Sequence, residues 1–564
     1  MRAQPGALAA LLAAAVALCG CSKGSNIRTG DAGQVLHRSI GPDLEDLDPH
    51  MATVTSNYSV LSALFEGLVA EDPVDLHPVP GVAERWETSP DGLTYTFYLR
   101  SDAKWSSGEA VTSQDFIDSW HRILTPSLGA TYASQLYIIQ GAEAFNKGEA
   151  AFAQVALKAQ DARTLTVRLE HPATWFLSVL SGPNWYPVPI SLIRKYGGVA
   201  DRGNPWASAE HWVGNGPFNL VSWHHSQEIV VTRSATYWDE AKVRLKEIHF
   251  HAFDSIDAEE RAFRAEQIHV TETLPPDKVE TYRRDSPELL RMDPLLGTYF
   301  LRINVRKPGL NDARIRLAMS LAVDRQAIVD RILHGGQKPA LTFTPPDFTG
   351  YAPDGALAPS LDKARQLLAG AGYPGGAGLP AFELLYNTSE SHKVIAEALQ
   401  EMWRRDLGIR VTLVNEDIKS TEGARAAGTY DILRSSLIAD YADPSAFLDT
   451  WRADSSDNFT GWRNADYDNL MFSAARTTDP AARSSLMAKA ESILLAESPV
   501  IPLYHYAHVF LIRPSVHGWY PTLLDHHPYK GVWLEEKRVR PEMRVFTASA
   551  CPAISGTWLV SPNS

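Results

Sequence analysis

The first twenty-one residues limit what the rest of the chain can become. Met1-Arg2 gives a positive start, and Ala7 to Leu18 is an apolar run of secretory-signal length, too short to span a bilayer as a mature helix. It ends in Leu18-Cys19-Gly20-Cys21, the pattern of a lipoprotein cleavage site. Small Gly20 fits the position before the cut, and the Cys21 thiol would take the diacylglycerol. Cys19 is excluded, because bulky Leu18 would then precede the cut. The alternative is an ordinary secretory signal with incidental cysteines. After cleavage only Cys21 and Cys551 remain of the 3 cysteines, and a lipid would block Cys21. No disulfide framework is then possible, so the fold of an exported chain of 564 residues must rest on its apolar interior.

That interior is affordable. Hydrophobic residues make up 45% and charged residues 21%, which excludes a disordered or collagenous chain. At roughly 100–200 residues per domain the length suggests three or four lobes, or two large ones. The 53 Lys and Arg stand against 66 acids, a net charge of −13, which argues against nucleic acid as a partner. Aromatics reach 10%, with 15 Trp, and suit a protein that lines a cleft with flat side chains.

Strand and helix signals alternate. Leu93, Tyr95, Phe97 and Leu99 share one face of a half-buried strand opened by the turn Ser89-Pro90-Asp91-Gly92. Thr112 reads as an N-cap with Asp115 in the first turn, and Phe116, Ile117, Trp120, Ile123 and Leu124 form the apolar stripe behind it. Thr164 to Leu169 and Ile229 to Thr232 read as strands. Arg314 to Leu333 reads as one long amphipathic helix stopped by Gly335-Gly336 and Pro339, and Lys363 to Ala371 as another. The pattern predicts an α/β chain of more than one lobe, without a solenoid repeat. Ser22 to Asn26 reads as a flexible tether and Met543 to Ser564 as a loose tail.

Catalytic and cofactor motifs are missing. Gly214-Asn215-Gly216-Pro217 reads as a tight turn rather than a nucleotide loop, and there is no G-x-S-x-G elbow and no H-E-x-x-H. His249 and His251 share a face of a strand, but with no third ligand nearby they read as a solvated or capped pair rather than a metal site. His224-His225 and His526-His527 are adjacent pairs that extended structure would split between two faces. No cofactor and no metal is expected, and an enzyme is disfavoured.

Ordered motifs are more specific. Leu47-Asp48-Pro49, Leu64-Phe65-Glu66-Gly67-Leu68, Pro80-Gly81-Val82-Ala83-Glu84-Arg85-Trp86, Tyr95-Thr96-Phe97, Ala103-Lys104-Trp105-Ser106 and Val111-Thr112 follow one another. Asn215-Gly216-Pro217-Phe218, Tyr237-Trp238, Arg314 to Arg325 and Ala439-Asp440-Tyr441 continue the series. From about residue 35 to 540 the chain closely resembles the oligopeptide-binding family of extracytoplasmic solute receptors (family 5) that serve ABC importers. The resemblance implies a two-lobed periplasmic-binding-protein fold of type II, with three domains and a ligand cleft. It divides the chain into signal peptide 1–20, tether 21–32, lobe I 33–64, inserted domain 65–188, lobe I again 189–295, lobe II 296–507, lobe I once more 508–542, and tail 543–564. It also implies an oligopeptide ligand, an ABC permease with its ATPase subunits as partners, a monomer, and membrane contact through the lipid anchor, in the periplasm or cell envelope.

By the same resemblance Asp440 anchors the ligand N-terminus, and Arg434, Arg425 and His392 receive its carboxylate end. The other readings are a turn or capping aspartate and solvated surface cations. Leu437 stands where the family has a pocket tryptophan, Arg302 where it has an acid, Leu295 and Phe300 where tyrosines border the cleft, and His334 where it has a lysine. With Arg302 the cleft is expected to be more cationic and the ligand more acidic than a generic peptide. The same fold with a murein peptide, nickel complex, haem or oligosaccharide remains an alternative, as do an exported hydrolase and a chaperone or surface lipoprotein. Ser22 after the lipidated cysteine leaves inner and outer membrane both open.

Overall fold

The computed structural model describes residues 25–536, apart from 53, 54, 347, 349, 350, 354 and 356. The expected signal peptide, Cys21, Cys551 and the tail 543–564 lie outside the described residues. Part of the expected tether does not: Asn26–Gly33 is a helix, α1, capped by Ser25 Oγ, which accepts from Arg28 N at 3.3 Å. Gly30 lets α1 sit close to the body, since a Cβ there would come within 2.5 Å of the Val35 carbonyl oxygen. Among the described residues no helix is long and apolar enough to cross a membrane.

The first lobe carries two four-stranded sheets. One, in the order β1 (Val35–Ser39), β8 (Glu247–His251), β7 (Glu228–Arg233), β6 (Phe218–His224), is antiparallel except for the parallel pair β1–β8. The other has the order β2 (Ala83–Thr88), β3 (Thr94–Leu99), β5 (Thr164–Arg168), β4 (Leu157–Asp161). On β3 the expected alternation holds: Tyr95, Phe97 and Leu99 are buried and Thr94, Thr96 and Tyr98 half-buried. The helix α2 (Ser113–Leu124) begins with a reciprocal capping box, in which Thr112 N donates to Asp115 Oδ2 at 2.7 Å and Asp115 N to Thr112 Oγ1 at 3.4 Å. Its stripe, Phe116, Ile117, Trp120, Ile123 and Leu124, is buried. Both sheets feed one continuous core.

Three family-like motifs meet at one carboxylate. Glu66 accepts from Tyr237 OH at 2.5 Å and Trp238 Nε1 at 2.6 Å, while Asn215 bonds the Glu66 main chain through both ends of its amide, at 3.1 and 2.8 Å. Gly216 is required there, because a Cβ would lie 2.4 Å from Phe65 N. The expected tight turn is thus a docking contact. Asp48 likewise accepts two bonds from the wholly buried Arg122, at 3.0 and 2.5 Å.

The second lobe is built on a six-stranded sheet: the short segment Lys338–Pro339, then β13 (Val500–Leu511), β9 (Leu290–Ile303), β12 (Ile432–Ile438), β10 (Phe382–Asn387) and β11 (Val411–Glu416). Its separate core gathers Leu296, Phe300, Trp403, Trp451 and Leu503. The long helix expected over Arg314 to Leu333 is broken. It runs Ala313–Leu321, resumes over Arg325–Ile328, and ends in a π-turn, Val329–Leu333. Asp324 starts the second piece by accepting from Ala327 N at 3.0 Å, and buried Arg325 donates to the carbonyls of Ser320 and Pro502. The helix expected over Lys363 to Ala371 is found at Leu361–Gly370.

Among the described residues, only the strands β9 and β13 run through both lobes. At their lobe-one ends Leu290 pairs with Leu511, further along Arg302 pairs with Val500, and the register shifts between Pro294 and Thr298. A bulge of this kind bends a strand pair locally, which makes this the candidate hinge. The boundaries expected at 295/296 and 507/508 fall within these two strands.

Beside the hinge, His508 Nδ1 faces Asp525 Oδ1 at 2.8 Å and His508 Nε2 faces the Glu272 carbonyl oxygen at 2.6 Å. Burial opposes the imidazolium, but the Asp525 carboxylate outweighs it and raises His508 to about 9. With an unfolded value of about 6.5, the stabilisation is complete below pH ~6.5 and is lost as pH rises through the folded value. Denaturant unfolding should therefore show stability falling between those two values, with a smaller fall in His508→Gln. Equal falls in both proteins would exclude this link.

Candidate functional site

The cavity between the lobes encloses ≈1300 Å³, including space open to solvent. Tyr132, Gln135 and Asn184 line it from the first lobe, Leu295, Leu524 and His526 from the hinge region, and Ile438, Ala439 and Asp440 from the second. Asp440 follows the end of β12 and is positioned by the bond from Ala439 N to the Leu296 carbonyl at 2.8 Å. Gln135 Nε2 donates to Asp440 Oδ2 at 3.4 Å, and Asn184 Nδ2 holds Gln135 Oε1 at 3.2 Å. Asp440 keeps surface open to the cavity, yet the surrounding protein raises its pKa by desolvation, which the Gln135 bond only partly offsets. Among the described residues no cation pairs with it. Asp443 of the same motif differs, being clamped by Arg483 at 2.7 and 2.8 Å. Tyr441 stacks on Trp175 of the opposite lobe with ring centroids 4.8 Å apart.

Six residues earlier, Arg434 pairs with Leu301 of β9 and therefore shares a face with Tyr299, whose ring lies 4.6 Å beneath the guanidinium carbon. It donates to Asn387 Oδ1 and to Tyr506 OH, each at 3.3 Å, and its Nε is buried without a partner. No carboxylate pairs with it among the described residues. His392, in the helix Glu390–Leu407, faces Tyr299 OH through Nδ1 at 3.3 Å. Burial, and then the Arg434 charge, lower it to about 4, so it is a neutral imidazole at pH 7.

Between these two groups runs an open strand edge. On one side β12 pairs with β9 from Ile432 to Ile438, but on the other β10 pairs with it only at Ile432 and Leu433. The backbone from Arg434 to Ile438 has no strand on that side among the described residues, and Ser436 and Ile438 are exposed.

The remaining expected residues lie elsewhere. Strand alternation turns Phe300 and Arg302 to the face opposite Tyr299. Phe300 is fully buried against Phe343 and Trp451, so it does not border the cavity. Arg302, 4% exposed, donates to Ser435 Oγ and to the carbonyls of Asp457 and Asn458 and stacks over Trp451. It therefore does not make the Asp440 cavity cationic, and the expectation of an unusually acidic ligand loses its basis. Leu437, opposite Thr298, is half-buried against the second-lobe core. Arg425, in the helix Ile418–Ala427, is ion-paired to Glu422 and lines a separate cavity of ≈570 Å³ with Arg306 and Phe459. Sequence reasoning missed Gln135, Asn184, Tyr299 and Tyr506. Each is an ordinary polar residue until tertiary contacts set it beside Asp440 or Arg434.

Comparison with known proteins follows the same lines. Residues 77–459 match the bacterial extracellular solute-binding proteins, family 5 Middle. The periplasmic oligopeptide-binding protein OppA of Escherichia coli is 34% identical over 527 residues, covering 91% of this chain and 94% of the relative. The periplasmic murein peptide-binding protein MppA of the same organism is 33% identical, covering 86% and 90%. The structure is similar to that of Haemophilus influenzae OppA in complex with RPPGFSPFR, with a TM-score of 0.74, 30% identity and coverage of 89% and 99%. With its two lobes, double crossing and interlobe cavity, the chain belongs to the bacterial extracellular solute-binding proteins of family 5.

Proposed function

We propose that this protein is the peptide-capturing component of an ABC importer, working outside the cytoplasm as a lipoprotein anchored through Cys21. The observation that supports it most is the edge of β12 from Arg434 to Ile438, which among the described residues is open and bracketed by a carboxylate without a cation and a guanidinium without an anion. An extended peptide adds to a free strand edge through main-chain hydrogen bonds that every sequence offers. Its ammonium meets Asp440 at one end. Its carboxylate meets Arg434 at the other, with neutral His392 as a further donor. At about 3.3 Å per residue, the six steps from Arg434 to Asp440 span roughly 20 Å, the scale of a short oligopeptide. Leu295 and Ile438 offer apolar surface to its side chains.

Burying an unpaired charge is costly, so Asp440 and Arg434 each favour a ligand group carrying the opposite charge. Rotation about the β9–β13 hinge closes the lobes over the ligand and thins the water between them, which strengthens both ion pairs. The closed form is then what a permease and its ATPase subunits recognise, and the ligand leaves unaltered. Mass spectrometry of species released by denaturing the purified protein tests this reading. Intact peptides with free termini are expected, whereas a sugar, haem or metal complex as the sole cargo would overturn it. Arg434→Ala should weaken a free-carboxylate peptide by about tenfold or more, measured by calorimetry, while leaving the ligand-free melting temperature near its original value. Unchanged affinity would remove Arg434 from the site.

A further inference from the structure

We propose that the outer face of the first-lobe sheet binds a divalent transition-metal ion through His37, His249 and His251, with Glu228 orienting two of these rings. The parallel pairing of β1 with β8 sets His37 directly opposite His249, and the antiparallel pairing of β8 with β7 sets His251 opposite Glu228. All four therefore project from one face, opposite the one that carries Leu36, Ile248 and Phe250 into the core. The His37 ring centroid lies 4.6 Å from that of His249 and 5.3 Å from that of His251. These residues take no part in the Asp440 cavity.

The nitrogens are arranged as ligands with their supports. His37 Nδ1 and His251 Nε2 are 3.0 Å apart, close to the ~3.3 Å edge of a tetrahedron with metal–nitrogen bonds of about 2.0–2.1 Å. Glu228 Oε2 sits 3.1 Å from His249 Nδ1 and 3.8 Å from His251 Nδ1. A carboxylate there favours the proton on Nδ1 of both rings and leaves each Nε2 lone pair for a metal, the carboxylate–histidine–metal arrangement. With its proton on Nδ1 beside Glu228, His251 presents the Nε2 lone pair on the side of His37. His249 Nε2, 3.4 Å from Glu247 Oε2, joins the other two by turning its ring, with Glu247 beside it as a fourth oxygen ligand.

His269 is the fourth imidazole of the group but not a ligand. It accepts from His37 N through Nδ1 at 3.0 Å and turns Nε2 to Asp31 Oδ1 at 3.3 Å, fixing the His37 backbone under α1. The site is reachable, since His249 and His251 side chains are each 20% exposed. Three imidazoles with carboxylates suit zinc, nickel or copper ions rather than magnesium or calcium.

The test is calorimetric titration of the chelator-treated, purified protein with ZnCl₂, repeated with CoCl₂ followed by visible absorption. One saturable equivalent is expected, with the intense bands of four-coordinate cobalt. His37→Ala, His249→Gln and His251→Ala should each weaken zinc by tenfold or more, and Glu228→Gln by about 10–100-fold. His77→Ala, in the exposed Asp72, Asp75 and His77 turn, and Asp440→Ala should leave uptake unchanged. Circular dichroism controls for folding, and His249→Gln, which keeps a polar side chain of similar size, is the variant least able to disturb it. Absence of saturable uptake, uptake indifferent to His249→Gln, or uptake lost on His77→Ala would each overturn the proposal.

Discussion

Replacing Asp440 with alanine should weaken a peptide with a free amino terminus by about 100-fold, equivalent to ~2.7 kcal/mol, the scale for losing one partner of a desolvated charge pair. The ligand-free protein should not suffer. Asp440 has a raised pKa, receives one long bond from Gln135 and pairs with no cation among the described residues. Its charge is therefore a cost to the empty fold, and the variant should melt at the same temperature or higher. Asp440→Asn keeps the size and the Gln135 contact but not the charge, so it should lose nearly as much affinity as alanine. Calorimetry for the peptide and thermal unfolding for the free protein measure the two sides. A variant that loses stability and affinity together would make Asp440 a structural residue instead.

Arg122→Ala carries the largest expected effect on folding, about 3–5 kcal/mol by urea denaturation. Arg122 bridges α2 to Asp48 with two hydrogen bonds and donates to the Val199 carbonyl at 2.7 Å, and its side chain is 0% exposed. Truncation leaves the Asp48 carboxylate without its counter-charge, although burial alone would raise its pKa and Arg122 is what lowers it. The double variant Arg122→Met with Asp48→Asn removes both charges and should recover much of the loss. If the single and double variants unfold at the same urea concentration, the pair contributes nothing specific.

Both residues belong to stretches that the sequence made conspicuous, yet for different reasons. Leu47-Asp48-Pro49, Leu64-Phe65-Glu66-Gly67-Leu68, Asn215-Gly216-Pro217-Phe218 and Tyr237-Trp238 are framework: they meet one another at Arg122 and Glu66 inside the first lobe. They identify the fold because close packing tolerates few replacements there. Local patterns were equally readable. The period-two strand at Tyr95, Phe97 and Leu99 and the Thr112–Asp115 cap need only neighbouring residues, so the chain displays them directly.

What the chain conceals depends on partners distant in sequence. Phe300 follows Tyr299 directly and Arg302 lies three residues on, and only the register against β12 decides which of them share a face with Arg434. The continuous helical periodicity from Arg314 to Leu333 gave no warning that Asp324 would cap a new helix while Arg325 turned inward to carbonyls. His249 and His251 lacked a third imidazole until β1 paired with β8 and brought His37 beside them. The β9–β12 register, the Arg325 bond to the Pro502 carbonyl and the β1–β8 pairing are all long-range, invisible to windows of ten or twenty residues.

The central claim is that both charged termini of an extended guest are neutralised along one strand edge, by Asp440 and Arg434. Calorimetry with one peptide in four forms tests it: free at both ends, acetylated, amidated, and capped at both. Each single cap should cost about tenfold or more in affinity, the acetyl cap should cost nothing further in Asp440→Ala, and the doubly capped peptide should bind weakest of all. Equal affinity for the free and doubly capped forms would contradict the account.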